Sequence, residues 1–307
     1  MRIIFHLGTY KTGTSSFQNT LFENKDLLLK HGILHPVTGL TNEKKLGYRH
    51  TSLITGFMTG KKRACPDALL KEIKDSNAET VIFSSEAWSN PGNLSHLTRF
   101  VTELEDNGYN DCSGFLTLRN LAKYQVSHYR EFTVNRGNSQ TYPEYIQKRT
   151  GMFDYLLLIR SFRSIFGSRF SALPFDISTE ITRDLFEAMG FGRICNQMKR
   201  VERANVKSIG PLEVEAIRCA NLLKKSRNEG LSALTSAISD YDNMRIGDWT
   251  ERFVGDTPSF TSAYRRNLRN AANWSEDNIA SVLNHDEPQG RNVQEISDAI
   301  IHELQNA

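Results

Sequence analysis

Ile3-Ile4-Phe5-His6-Leu7-Gly8-Thr9-Tyr10-Lys11-Thr12-Gly13-Thr14-Ser15-Ser16 decides the fold. Ile3 to Leu7 is a short apolar run that stops at a glycine, which reads as a buried strand. Thr9 to Thr14 is rich in Gly and Thr, the composition of a loop. From Ser15 a helix is predicted, because Phe17 and Leu21 fall on one face at i, i+4 spacing. A strand, a glycine-rich loop and a helix in that order gather backbone N–H groups and the positive end of a helix around one point, where an anion is stabilised.

The same alternation continues outward. Lys25 to His31 reads as a helix closed by Gly32, and Pro36 rules out its continuation. Glu79–Ser85 and Ser113–Leu118 read as buried strands, each followed by a helix; the second of these helices runs from about Leu121 to Val134. A short helix is read over Ser52–Met58. Asp154–Phe166 reads as helical and Ser168–Phe175 as a fourth strand. Beyond these, Pro211 can open a helix whose apolar face is Leu212, Ala216, Cys219 and Leu223. The expected fold class is therefore α/β, a P-loop-like parallel sheet flanked by helices with a mainly helical C-terminal part. No repeat or low-complexity linker divides the chain, so residues 1–307 are read as one domain.

Bulk properties remove several function classes. The 39% hydrophobic and 24% charged content is that of a globular protein able to bury a core. A net charge of +3 gives no global basic field, so no nucleic-acid partner is expected. Cys65, Cys112, Cys195 and Cys219 show no CxxC spacing and no accompanying His cluster, so neither a zinc site nor a disulfide framework is expected. No apolar run approaches the ~20 residues of a membrane span. Met1-Arg2 leads straight into the first strand without a signal-peptide pattern, and the expected location is the cytoplasm.

The loop compares with the phosphate-binding pattern G-x-x-x-x-G-K-[ST]. Gly8 and Gly13 keep the separation and Ser15 keeps the hydroxyl, but Thr14 stands where the lysine belongs and Lys11 comes three residues earlier. Phosphate binding survives that change. The arrangement of lysine on the β/γ-phosphates and hydroxyl on Mg²⁺ does not, which favours a phosphate ligand held without metal.

At these residues the sequence resembles the sulfotransferases that use 3'-phosphoadenosine-5'-phosphosulfate (PAPS). His6 to Ser16 is similar to that family's 5'-phosphosulfate loop, with core K-[TS]-G-[TS]-[TS]. The resemblance implies that Lys11, Thr12, Gly13, Thr14, Ser15 and Ser16 bind PAPS, and that Lys11 also stabilises the departing nucleotide. Leu116-Thr117-Leu118-Arg119-Asn120, followed by Ser127 in the next helix, resembles the family's 3'-phosphate motif. The Arg fork of Arg119 and the hydroxyl of Ser127 would then hold one phosphate. The family usually has a proline shortly after that arginine; here Leu121 and Ala122 follow Asn120. Arg203-Ala204-Asn205-Val206-Lys207-Ser208 is similar to a segment of bacterial members. Gly247-Asp248-Trp249 resembles a C-terminal cofactor turn, without the Arg-Lys-Gly run that precedes it elsewhere.

Sulfuryl transfer needs a base, and two residues qualify. Glu86 closes Phe83-Ser84-Ser85-Glu86 at the C-terminal end of a strand, the edge where ligands bind in a parallel sheet. Its place and the S-S-E run resemble carbohydrate and bacterial sulfotransferases. His50, in Tyr48-Arg49-His50, is of a type whose ordinary pKa suits a general base. The expected acceptor is a hydroxyl or amine of a saccharide, a glycolipid or a small metabolite. Two alternatives stay open: a P-loop kinase or nucleotide hydrolase, and a sulfotransferase-like domain that binds without turnover.

Overall fold

The computed structural model describes residues 1–43, 47–54, 66–178, 180–199, 201, 209–239, 262–284 and 293–306. Cys65, the segments at 203–208 and 247–249, and the second half of the helix read over Ser52–Met58 lie outside these residues.

The elements are β1 (Arg2–His6), α1 (Thr14–Glu23), α2 (Lys25–Lys30), β2 (Ile33–Leu34), β3 (Thr41–Glu43), β4 (Gly47–Arg49), α3 (Pro66–Asp75), β5 (Thr80–Ser84), α4 (Leu94–Asp106), β6 (Asp111–Leu118), α5 (Leu121–Arg136), α6 (Tyr142–Gln147), α7 (Tyr155–Phe166), β7 (Phe170–Pro174), α8 (Ile181–Ala188), α9 (Pro211–Leu222), α10 (Arg227–Ser239), α11 (Ser262–Ala272), α12 (Glu276–Leu283) and α13 (Val293–Asn306). They form two compact units. The first holds β1 to β6 with their helices, then α7, β7, α8, α11 and α12; the second holds α5, α6, α9, α10 and α13.

The first unit is an α/β layer structure. Five strands pair in the order β2-β5-β1-β6-β7, every pair parallel, and β3 and β4 form a separate antiparallel hairpin. Because both faces are covered, strand residues are apolar in succession rather than alternating. Ile4 points to one face with Phe17, Leu21, Ile82, Leu185 and Phe186, beneath α1 and α8. Phe5 points to the other, its ring 5.4 Å from that of Phe100 on α4 and 5.5 Å from that of Phe166 on α7. The register sets His6 beside Ser84 on one side and Phe115 on the other. The C-terminal ends of β1, β5 and β6 therefore open on one edge, and the three segments singled out in the sequence all begin there. At the far side, Trp274 Nε1 donates to Ala172 O on the edge strand β7 at 2.8 Å.

The second unit is helical. Pro211 opens α9, as read from the sequence. Leu212, Ala216 and Cys219 pack with Ala233, Leu234, Ile300 and Leu304, and Leu223 lies partly buried against them. Among the described residues no helix is long and apolar enough to cross a membrane, and Cys112, Cys195 and Cys219 are free thiols.

Candidate functional site

The chain leaves β1 and stays tied to β6 before it turns. Leu7 N–H donates to Phe115 O at 2.8 Å and Thr9 N–H to Thr117 O at 3.1 Å. Three hydroxyls then fasten the loop: Thr9 Oγ1 to Thr117 O at 3.0 Å, Thr12 Oγ1 to Thr9 O at 2.6 Å, and Thr117 Oγ1 to Thr12 Oγ1 at 3.0 Å. Ser89 Oγ, from the segment after β5, lies 2.5 Å from Leu7 O and 2.9 Å from Gly8 O. Thr12 is thus a fastening of the loop, with its hydroxyl buried in the framework. The hydroxyl-bearing residues at the mouth are Ser15, which is exposed, and Ser16, which is half-buried.

Two glycines are needed here for different reasons. Gly13 has φ +74°, and a Cβ there would also come within 2.8 Å of Ile181 Cγ2. At Gly8 a Cβ would stand 2.3 Å from Thr14 Cγ2, so the start of the loop and the start of α1 touch. Lys11 is itself left-handed at φ 67°, a conformation that costs a side-chain-bearing residue about 1–2 kcal/mol. Gly13 gives α1 no side-chain cap and the first turn carries no acidic residue, so the positive end of α1 is uncompensated by its own sequence.

Arg119 follows β6 and bends back to the loop. Its Nη1 lies 3.4 Å from Lys11 O, and its guanidinium stands 5.8 Å from the centre of the Phe175 ring. Its Nε is buried and has no hydrogen-bond partner among the described residues. The turn that follows is held without a proline: Tyr155 OH donates to Arg119 O at 2.9 Å, and Asn120 N–H donates to the Asp176 carboxylate. Ser127 sits in the second turn of α5, half-buried, in the second unit.

Glu86 opens a single 3-10 turn, Glu86–Ser89, whose start is capped by Ser85 Oγ accepting from Ala87 N–H at 3.3 Å. Ser85 N–H donates to His6 O at 3.1 Å, which ties this turn to the end of β1. The Glu86 side chain is buried with both oxygens engaged: Gln18 Nε2 donates to Oε2 at 3.0 Å, and Arg49 Nη1 donates to Oε1 in an ion pair. Neither partner was read from the sequence. Gln18 looks like any polar helix residue. Arg49 comes from a hairpin too short and polar to register as strands.

His50 is placed differently from the reading of it as a base. It is fully buried; its Nδ1 accepts from Ser84 N–H at 3.1 Å, and its Nε2 donates to Pro36 O at 2.9 Å. Burial, with a smaller effect from His35, holds its pKa well below the ordinary histidine value. Both ring nitrogens are spent on main chain, so no lone pair faces a substrate, and His50 is a scaffold residue. His6 is likewise buried, with Nδ1 2.8 Å from Ser84 Oγ and its ring edge-on to Phe17, and burial pushes its pKa down to about 3.

A cavity of about 310 Å³ opens beside Ser16. Its walls are mixed: Ser16 and Thr20 of α1 and Ile181 and Phe186 of α8 stand beside the charged Arg183 and Lys199. The sequence carries no sign of it, because residues 16–20 and 181–198 meet only through the packing of α1 on α8.

No known family model matches the chain, and no curated protein matches it in sequence. Among solved structures it is similar to a sulfotransferase from Alicyclobacillus acidocaldarius, with a TM-score of 0.43 and 14% identity over 74% of this chain and 97% of that one.

Proposed function

We propose that this protein is a sulfotransferase that takes its sulfuryl group from PAPS. The observation that carries the reading is Arg119: a guanidinium bent onto Lys11 of the loop, with a buried Nε that nothing among the described residues satisfies. An unpaired buried donor is costly, and a bound phosphate would satisfy it. The N-terminus of α1, with no side-chain cap and no acidic residue in its first turn, favours an anion at that place.

PAPS, when bound, supplies the sulfuryl group, which passes to the acceptor oxygen as the bond from sulfur to the bridging phosphate oxygen breaks. Lys11 and the N–H groups of Thr14, Ser15 and Ser16 hold the 5'-phosphate and the negative charge that grows on the leaving oxygen. Arg119 holds the 3'-phosphate. The sequence resemblance alone adds Ser127 as its companion. Glu86, at the C-terminal edge of the sheet, accepts the proton of the attacking acceptor group. The acceptor class follows the resemblance: a hydroxyl or amine of a saccharide, glycolipid or small metabolite.

Calorimetric titration with 3'-phosphoadenosine-5'-phosphate, without Mg²⁺ and with ATP as control, tests the reading. The expected result is micromolar binding of the diphosphate, much stronger than ATP and lost in Arg119→Ala. A preference for Mg-ATP would move the kinase reading ahead.

A further inference from the structure

Glu86 stands on one 3-10 turn, yet three separate elements converge on it. Gln18 belongs to α1, the helix that the loop opens, and lies one turn after Thr14 on the same face. It gives its amide N–H to Oε2. Arg49 ends β4 and gives Nη1 to Oε1. Arg49 is itself braced on both sides along the chain. The preceding Tyr48 stacks on Phe22 of α1, with ring centres 3.4 Å apart and planes 6° apart. The following His50 is bonded to Ser84 and Pro36. The guanidinium therefore arrives on a rigid arm.

An ionised carboxylate has about four acceptor sites. Gln18 and Arg49 occupy one on each oxygen, which fixes the plane of the group and leaves the remaining sites for an incoming proton. Gln18 also joins that plane to the helix whose first turn faces the donor. A base that must meet an acceptor in line with a bound sulfuryl group gains from such fixing, because small misplacements cost large factors in rate.

We infer that Gln18 and Arg49 are positioning residues that clamp the Glu86 carboxylate in the orientation for proton removal. The inference rests on the reading of Glu86 as the base. Neither residue touches the reacting atoms; both act through Glu86.

The test pairs calorimetry with turnover of PAPS to 3'-phosphoadenosine-5'-phosphate, using water and a panel of simple alcohols, phenols and monosaccharides as acceptors. Arg49→Met and Gln18→Met are each expected to lower kcat by about 10- to 100-fold and to leave the diphosphate Kd within about twofold. In a Glu86→Gln background neither substitution lowers turnover further, since the group they position has already lost its basicity. A merely structural role would depress turnover in that background as well. Should Arg49→Met fail to fold, Arg49→Lys carries the same comparison with a smaller loss.

Wild-type kcat in the single variants, or losses that add in the Glu86→Gln background, overturn the clamp while diphosphate binding keeps the donor reading intact. No diphosphate binding by the wild-type chain overturns the donor reading and the clamp with it. A chain that binds the diphosphate and turns over no PAPS overturns the clamp and the enzyme.

Discussion

Arg119 Nη1 lies 3.4 Å from the main-chain oxygen of Lys11, so a side chain from the end of β6 is fastened to the loop that follows β1. Two cations thus reach one patch by different routes and should fail differently. Lys11 is exposed, and its loss is expected to shift unfolding free energy by no more than about 0.5 kcal/mol. Lys11→Ala should nevertheless cut turnover of PAPS by about 100-fold or more, because charge on the leaving oxygen goes uncompensated. Arg119→Ala should weaken diphosphate binding by about 10- to 100-fold and slow saturated turnover less. Calorimetry, urea titration and steady-state kinetics on the two variants check this. Wild-type donor affinity and turnover in both would sink the assignment.

Gly8 and Thr14 give a second-site test of the loop. A methyl group at Gly8 would meet Thr14 Cγ2 at 2.3 Å and the His6 ring at 3.3 Å, and Gly8 does not need the left-handed region, so the severest obstacle is the Thr14 contact. Gly8→Ala is expected to cost about 1–3 kcal/mol of stability through overpacking and to weaken diphosphate binding. Thr14→Ser removes the opposing methyl and keeps the hydroxyl, so Gly8→Ala with Thr14→Ser should recover most of both losses. Urea midpoints and calorimetry on the single and double variants measure it. A double variant no better than Gly8→Ala alone would show that the loop is not limited by this contact.

The contrast between these residues and their neighbours shows what the sequence could tell. Strands β1, β5 and β6 and the loop were legible because parallel strands buried on both faces leave continuous apolar runs, and the glycines and threonines between them have one short-range meaning. Gln18 and Arg49 were not legible. Their partner Glu86 is 68 residues from one and 37 from the other, and nothing local marks a polar residue that will be paired. His50 was misread for a related reason. Its side chain type advertises a proton acceptor, but only the fold shows Ser84 N–H and Pro36 O taking both nitrogens. The cavity beside Ser16 depends on helix packing and left no local trace.

In the second unit, Glu215 and Arg218 form a buried ion pair one turn apart on α9. Arg218 Nε lies 2.8 Å and 2.9 Å from the two carboxylate oxygens, Ser297 donates to the same carboxylate, and Arg218 Nη1 donates to Ser139 O at 3.2 Å. Removing one partner strands the other charge away from water. Arg218→Met is expected to destabilise this unit by about 3–5 kcal/mol, whereas Glu215→Leu with Arg218→Met should cost much less. Chemical denaturation of the three proteins gives the comparison. Equal losses in the single and double variants would mean the pair's surroundings, not its charges, set the cost.

The buried histidines of the first unit predict an acid limit to stability. Burial lowers His6 from 6.5 to about 3 and His35 from 6.5 to about 4, the latter against a bond to Ile82 O, and it holds His50 well below 6.5. A histidine whose folded pKa is depressed binds fewer protons folded than unfolded once pH falls below the unfolded value. Stability is therefore fully present above about pH 6.5 and declines below it, toward the folded values. At pH 5.5 each unfolded imidazole is mostly protonated, so His6 and His35 each contribute a loss on the order of 1 kcal/mol relative to pH 7.5, and His50 adds a loss in the same direction. Urea titrations at the two pH values measure the drop. His35→Gln, which keeps a donor for Ile82 O, should remove part of it. Stability that stays flat across this interval would mean that the three rings find water or partners when protonated, and that they do not lock the sheet edge carrying Glu86.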